Sequence, residues 1–470
     1  MASQLVTHRS GVGRWVDDRL LDGLDTEVCL TLDRDIDRRT LRTLVQEQEL
    51  ALTAAGLHAG GSLALRMPPS LTYIATLLAG WRIGAEVALL DHRLTEHEVA
   101  RVLTALRPQL VAEPAERVSA MLAGFSHITP RFVHHHDTPR PTRHALIQFS
   151  SGSTGPSKMI GRTADNLIAE LDRYARIPGF TTRGQRCVVL ASPLHVLGLI
   201  GGLLHNLEAG IPTTIPRSLT ADGVLQAISR SEAPTTVLGV PSQARLLAAA
   251  PAPAAPQLQL MITGGEPVSP ELRAEFTDRY GANLGAMYGM TEVGVIATDV
   301  TGNEGALTPA PGIDIAIEDD EILVALRKSP YVGLVDPTRW NDGWLHTRDA
   351  GRIDPATGRL SVLGRRDSQV SIGGLKVDLT EVEQVVADIP GIDAAVVLFD
   401  GAIKAWVSTS TDLTGEQIMT ALRTKLAGYK RPRTVRILAT MPRTATGKPV
   451  RDLAVLRNAH AKSSTRQATS

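Results

Sequence analysis

The chain has 470 residues, with 49 basic and 49 acidic side chains and 43% hydrophobic residues, which fits a globular enzyme of roughly two to four folding units. The charge balance gives no reason to expect nucleic acid or another polyanion as a partner. Cysteine occurs only at Cys29 and Cys187, so a disulfide framework is not expected and a reducing compartment is.

The opening MASQLVTHRSGVGRW has no apolar core of the kind a secretion signal needs, and the cytoplasm is the expected location. GVGRWV lacks the third glycine and the preceding strand of a dinucleotide fingerprint. Ser70 opens SLTYIATLLAGWRIG, where Leu71, Ile74, Leu78 and Trp81 recur at helical spacing before the apolar run EVALLD. Thr95 and Glu98 form a capping-box pattern ahead of Val99, Val102 and Leu106, and QLVAE follows as a strand. VHHHD at 133–137 sits in a Pro/Arg-rich setting; three adjacent histidines cannot all turn to one side of a regular element, so no metal site is expected. VVLASPLHVLGLIGGLLHNL at 188–207 is broken by Pro193, His195, His205 and glycines, which predicts buried core rather than a membrane span.

Behind the strand LQLMIT, Ser269 as N-cap, Pro270 at the first helical position and Gly281 after the end bracket another helix. This alternation through about the first 300 residues predicts parallel sheets covered by helices. Beyond about residue 310 the rhythm changes: IDIAI and EILVA flank an acidic turn like an antiparallel pair. After Gly364 a smaller unit begins, with Thr380 and Glu383 expected to cap a helix and Asp400–Gly401 to join two strands. The final KSSTRQATS is expected to be a disordered tail.

Five segments carry candidate chemistry. SSGSTGPSK, from Ser150 to Lys158, combines backbone-permissive glycines with hydroxyls and a terminal ammonium, a composition that can wrap phosphate oxygens. Its spacing is not that of the Walker loop. Read alone, it is equally compatible with a solvated linker. MYGMTEVG places Thr291 and Glu292 after a strand-like run, where a hydroxyl and a carboxylate could meet a phosphate and its Mg2+; alone it could be a turn. GWLHTRDAGRID puts Asp349 near a strand end, where a carboxylate can accept two ribose hydroxyls. GRRDSQVSIGGLKVDLTEVE begins at Gly364, and PRTATGKPVR carries Lys448.

Together and in this order, the five segments resemble the adenylate-forming superfamily of acyl-CoA synthetases, adenylation domains and luciferases, most of all a stand-alone acyl- or aryl-CoA ligase. The resemblance runs from GAEVALLDHRLTEHE near residue 84 to GKPVRDL near 453. It implies an α/β fold: a large N-terminal domain of helix-covered sheets plus a β-rich subdomain over 1–363, and a small mobile α+β C-terminal domain over 364–460. Residues 461–470 are the expected tail.

The resemblance also implies roles. Ser150, Ser151, Gly152, Ser153, Thr154, Gly155 and Lys158 match the loop that holds the ATP phosphates. Gly264, Gly265 and Glu266 match a turn at the adenine pocket. Tyr288, between Met287 and Gly289, matches the aromatic residue packed near adenine. Thr291 matches a phosphate-contacting hydroxyl and Glu292 the carboxylate that positions Mg2+. Asp349 and Arg365 match the two ribose-gripping residues, Asp367 the hinge, and Lys448 the lysine that assists adenylate formation. His195 matches a position between acyl group and nucleotide, although a lone histidine in an apolar stretch is as readily a core residue.

Three positions depart from the pattern. Met159 follows the loop lysine where glycine is usual, Arg348 replaces a glycine beside Asp349, and Lys376 replaces an arginine near the nucleotide. Arg348 could pair with Asp349, reach a phosphate or face solvent. No aspartate suited to a substrate ammonium occurs in SPLHVLGLIGG, which argues against an α-amino acid. A pocket drawing on Leu197, Val240, Met287, Met290 and Val293 would suit an aliphatic or aromatic acid.

The implied activity is ATP-dependent conversion of a carboxylic acid to an acyl-adenylate, with pyrophosphate release and transfer to coenzyme A. Alternatives are transfer to a carrier protein or an amine, and a non-catalytic nucleotide-binding homologue.

Overall fold

The computed structural model describes residues 13–116, 128–137, 142–150, 158–251, 255–302, 305–366, 368–442 and 449–467. Among the expected site residues, Ser151, Gly152, Ser153, Thr154, Gly155, Asp367 and Lys448 lie outside these, as does the Ser150 side chain. The chain forms two compact units, one of residues 1–92, 106–149 and 159–364, the other of 93–105, 150–158 and 365–470.

The strands VCLT, SLAL, EVAL and RCVV are short, mostly apolar and nearly all buried, the pattern of sheets covered on both faces. Two sheets result. One has six strands, in the order Pro130–His134, Leu110–Pro114, Ser62–Leu65, Glu86–Leu89, Leu146–Ser150, Lys158–Arg162. The other has nine, and at its centre Arg186–Val189, Thr235–Gly239, Leu258–Gly264 and Asn283–Met290 run parallel. Beyond Asn283–Met290, Gly294–Asp299 continues the sheet antiparallel. One core joins the sheets, with Leu63, Leu65 and Val87 from the first meeting Val189, Leu238 and Ile262 from the second. The apolar window expected as core supplies the end of the Arg186–Val189 strand and the largely buried helical turn Leu197–Leu204.

Local signals account for the element ends. The Ser70 hydroxyl accepts the Tyr73 N–H and Gly84 closes that helix in the left-handed conformation. Ser269 caps Pro270–Tyr280, again closed by a left-handed glycine, Gly281. Thr95 and Glu98 bond reciprocally, with Glu98 Oε2 3.0 Å from the Thr95 N–H. Ile315–Glu318 and Glu321–Ala325 pair antiparallel around Asp319 and Asp320, both at positive φ, the geometry that tight hairpins favour.

In the second unit, Ile392–Phe399 and Ile403–Thr409 are joined through Asp400–Gly401, and Thr434–Leu438 adds a parallel strand. The expected Thr380 cap is corrected. Asp378 caps the Leu379–Ala387 helix by accepting the Thr380 N–H, the Thr380 hydroxyl bonds Ser368, and Glu383 bonds the Val397 N–H. Asp378 stands one residue before the helix and so wins the cap position. The Leu453–Gln467 helix runs into the segment expected to be a tail. Among the described residues, no helix is long and apolar enough to cross a membrane, and Cys29 and Cys187 are buried free thiols.

Candidate active site

In an open parallel sheet, ligands bind beyond the carboxyl ends of the strands. Here those ends lead directly into His195, Val240, Gly265–Glu266 and the turn at Thr291–Glu292. Gly264 pairs with Met287 on the neighbouring strand. A Cβ at Gly264 would stand 3.2 Å from Leu197 and 3.3 Å from the Met287 carbonyl, so glycine lets the layers close at this edge. His195 is half-buried just ahead of the Leu197–Leu204 turn, and its carbonyl accepts the Leu199 N–H.

Thr291, Glu292 and Val293 form the tip of a hairpin, with Met290 opposite Gly294. Two tyrosines organise the carboxylates of this region. Tyr288 donates its hydroxyl to Asp349 Oδ2 at 2.7 Å, and Asp349 is only 6% exposed. Tyr331 donates to Glu292 Oε1 at 3.3 Å. Burial, then the adjacent Glu292 carboxylate, push the Tyr331 phenol well above its ordinary pKa, so it stays a neutral donor in the physiological range.

Arg348 has φ +63°, the left-handed region where glycine costs least, which explains why a glycine suits this position. It neither pairs with Asp349 nor simply faces solvent. Its backbone N–H meets Glu321 Oε1 at 2.8 Å, its Nη2 donates to the Thr338 carbonyl at 2.6 Å, and its Nη1 lies 3.8 Å from Glu321 Oε2. Glu321 is buried and also 3.7 Å from His346 Nδ1. The arginine thus offsets its backbone strain by answering a buried carboxylate, and the next residue is Asp349.

The residues expected to line the apolar pocket divide between two clusters. Met287 and Leu197 pack in the main core, whereas Val293, Met290 and Tyr288 pack with Ile160, Ile322 and Tyr331 under the β-rich sheet. Lys158 opens the Lys158–Arg162 strand. Arg365 ends the Leu360–Arg365 strand, and Lys376 lies opposite Ser371 in a hairpin of the second unit. Sequence reasoning missed Tyr331, Glu321 and Glu170. Only Glu170 had a signal, a carboxylate among Leu167, Leu171 and Tyr174 on the buried face of its helix.

Residues 33–328 match the family described as AMP-binding enzyme, and 381–448 match the AMP-binding enzyme C-terminal domain. The chain belongs to the AMP-binding enzyme family. Its α/β fold and adenylate-forming resemblance stand on that membership. Among curated relatives, feruloyl-CoA synthase of an Amycolatopsis species is 28% identical over 84% of this chain and 89% of its own. The 2-succinylbenzoate–CoA ligase of Enterococcus faecalis is 26% identical over 79% and 84%. Among solved structures, a double mutant of o-succinylbenzoate CoA synthetase from Bacillus subtilis gives a TM-score of 0.80 at 22% identity, covering 95% of this chain and 98% of that one. The amide bond synthetase McbA from Marinactinospora thermotolerans gives 0.77 at 24%, covering 95% and 99%. A CoA synthetase and an amide bond synthetase thus share this fold along nearly their whole length.

Proposed function

We propose that this AMP-binding family member activates a carboxylic acid with ATP and passes the acyl group to the thiol of coenzyme A. The observation that carries the reading is the buried Asp349 held by Tyr288, on the strand that leads to the Thr291–Glu292 turn. In the first step a carboxylate oxygen attacks the α-phosphorus, the α–β phosphoanhydride bond breaks and pyrophosphate leaves. In the second, the thiol sulfur attacks the acyl carbon, AMP leaves and the thiol proton is released.

Both partners of the first step are anions, so the site's work is charge neutralisation and alignment rather than general-base catalysis. Asp349 would accept the ribose hydroxyls, and Arg365 is the second residue proposed to grip the ribose. Gly264, Gly265, Glu266 and Tyr288 would border adenine. Ser150 to Gly155 and Lys158 would hold phosphates, with Thr291 as a further hydroxyl. Glu292, a half-buried carboxylate oriented by a neutral donor, fits a Mg2+ ion that keeps several water and phosphate ligands; the ion would neutralise phosphate charge. Lys448 would approach the α-phosphate, and Asp367 is the proposed hinge for residues 364–460. Buried free thiols favour a cytoplasmic setting.

The two relatives are named for feruloyl-CoA and 2-succinylbenzoate, both built on aryl-substituted acids, and the apolar setting of Met287 and Leu197 favours an aromatic or aliphatic acid over an amino acid. The amide bond synthetase shares this fold, so the fold does not choose the acceptor, and an amine or carrier protein is the second reading. Purified protein should be incubated with ATP, Mg2+, a panel of aryl and aliphatic acids, and coenzyme A, an amine or a carrier protein. Acid-dependent pyrophosphate and an acyl-CoA mass are expected. An amide or acyl-carrier mass instead would move the acceptor, and no pyrophosphate with any acid would overturn the reading. Asp349→Ala should raise the KM for ATP by roughly thirtyfold, equivalent to about 2 kcal/mol of charged hydrogen bonding, with the KM for the acid unchanged. Steady-state kinetics checks this.

A further inference from the structure

Helix Ala164–Tyr174 begins with a capping box of Thr163 and Asn166. Two turns later its Glu170 is fully buried, and the answering charge is Arg162, 4% exposed, at the end of the Lys158–Arg162 strand. Arg162 Nη2 bonds Glu170 Oε2 and lies 3.4 Å from the Asn166 carbonyl. The other carboxylate oxygen, Oε1, accepts the backbone N–H of Val295 at 3.1 Å. Gly294, at φ +92°, sits directly on this carboxylate: a Cβ there would lie 2.1 Å from Oε1 and 2.4 Å from Oε2. Glu170 therefore grips the hairpin where the strand resumes after Thr291, Glu292 and Val293.

The same hairpin tip is held a second time. Ile160 bridges Tyr331, the Gly161 N–H donates to the Pro330 carbonyl and the Val332 N–H to the Met159 carbonyl. Tyr331 in turn donates to Glu292. Both grips, one through Glu170 on the hairpin backbone and one through Tyr331 on the carboxylate, are backed by residues 159–162: Arg162 bonds Glu170, and Met159 to Gly161 pair with Pro330 to Val332.

Buried ion pairs seldom add net stability, because two desolvated charges repay their cost only with good geometry. They can instead fix register. We propose that Glu170, charge-balanced by Arg162, is a positioning residue that sets the Thr291–Glu292 turn against the strand leaving the phosphate loop. It acts through the Val295 amide and touches no substrate. The inference rests on the adenylate-forming reading of that turn.

Two double variants separate positioning from folding. Arg162→Met with Glu170→Gln removes both charges and keeps an amide oxygen for Val295. Arg162→Met with Glu170→Leu removes the charges and the acceptor while filling the space. Melting temperatures of the two should agree within a few degrees. The calorimetric Kd for MgATP, measured without acid, should weaken about tenfold in the Leu double and stay within about threefold of wild type in the Gln double. Half-saturating Mg2+ should shift in the same sense, with the KM for the acid unmoved. The inference is overturned if both doubles bind MgATP alike, or if binding follows melting temperature across the pair. A wild type that binds MgATP but forms no pyrophosphate with any acid would defeat the functional reading and leave this comparison decidable, because nucleotide binding is read independently of turnover.

Discussion

Replacing Glu292 or Lys448 with alanine is expected to lower acid-dependent pyrophosphate release by about a hundredfold in each case, the loss of about 3 kcal/mol seen when one preorganised charge or donor is taken from a developing anion. The two losses should differ in kind. Lys448→Ala should spare thioester formation when the acyl-adenylate is supplied ready-made, because the proposed role of that lysine ends with the first step. Glu292→Ala should raise the Mg2+ concentration for half-maximal rate, because the carboxylate is assigned to the ion. Tyr331→Phe removes one donor to Glu292, so a drop of about fivefold is expected, near 1 kcal/mol for one hydrogen bond. Because burial and Glu292 keep the Tyr331 phenol protonated, that drop should not vary between pH 6 and 9. Glu292 stands half-buried at a hairpin tip, so its truncation should move the melting temperature little. A rate change under threefold for both alanine variants would reject the assignment of the turn and the lysine.

Much of this arrangement could be read in the sequence because its signals are local. Ser70, Thr95 with Glu98, and Ser269 cap helices within three residues of themselves, and Asp319–Asp320 and Asp400–Gly401 turn hairpins between apolar runs. The positions of Gly264, Tyr288 and Thr291 followed from motifs that sit where parallel strands end. What stayed hidden depends on register between distant segments. Arg348 meets Glu321 because their strands pair antiparallel with an irregularity between Glu321 and Leu323, and spacing alone says nothing of that. Glu170 reaches Val295 across 125 residues of chain. Val293 and Met290, expected to line an acyl pocket, share an apolar cluster with Ile160 and Tyr331, a grouping that apolarity alone does not reveal. At Thr380 the error was a competition between neighbours, since an aspartate two residues earlier fits the same helix end better.

Lys430→Met is expected to destabilise the second unit by about 3–5 kcal/mol, the cost of leaving buried charge unanswered. Lys430, within YKRPR at 429–433, is 5% exposed. Its Nζ donates to Glu98 Oε1 at 3.0 Å and Glu381 Oε1 at 3.2 Å, and both carboxylates are themselves buried. Removing the ammonium would leave two carboxylates facing each other out of water. Glu98 keeps the Thr95 N–H and hydroxyl on its other oxygen, so its helix cap should survive while the cluster opens. Burial alone would lower the Lys430 pKa, but Glu381, Tyr429 and Glu98 outweigh it and hold the value above that of an ordinary lysine. A folded pKa raised above the unfolded one gives stability that is complete below the unfolded pKa and fades only as pH rises through the folded value. The deficit of the variant should therefore be constant from pH 6 to 9 and shrink only in strong alkali. Amide exchange in the full chain, followed in peptides of Leu379–Ala387 and Thr434–Leu438, reads the local opening energy. Combining Lys430→Met with Glu98→Gln and Glu381→Gln should recover most of the loss. If the single variant costs under 1 kcal/mol, or the triple variant is no better, the cluster is not the electrostatic keystone of this unit and apolar packing around Val382, Val386 and Ile418 holds it alone.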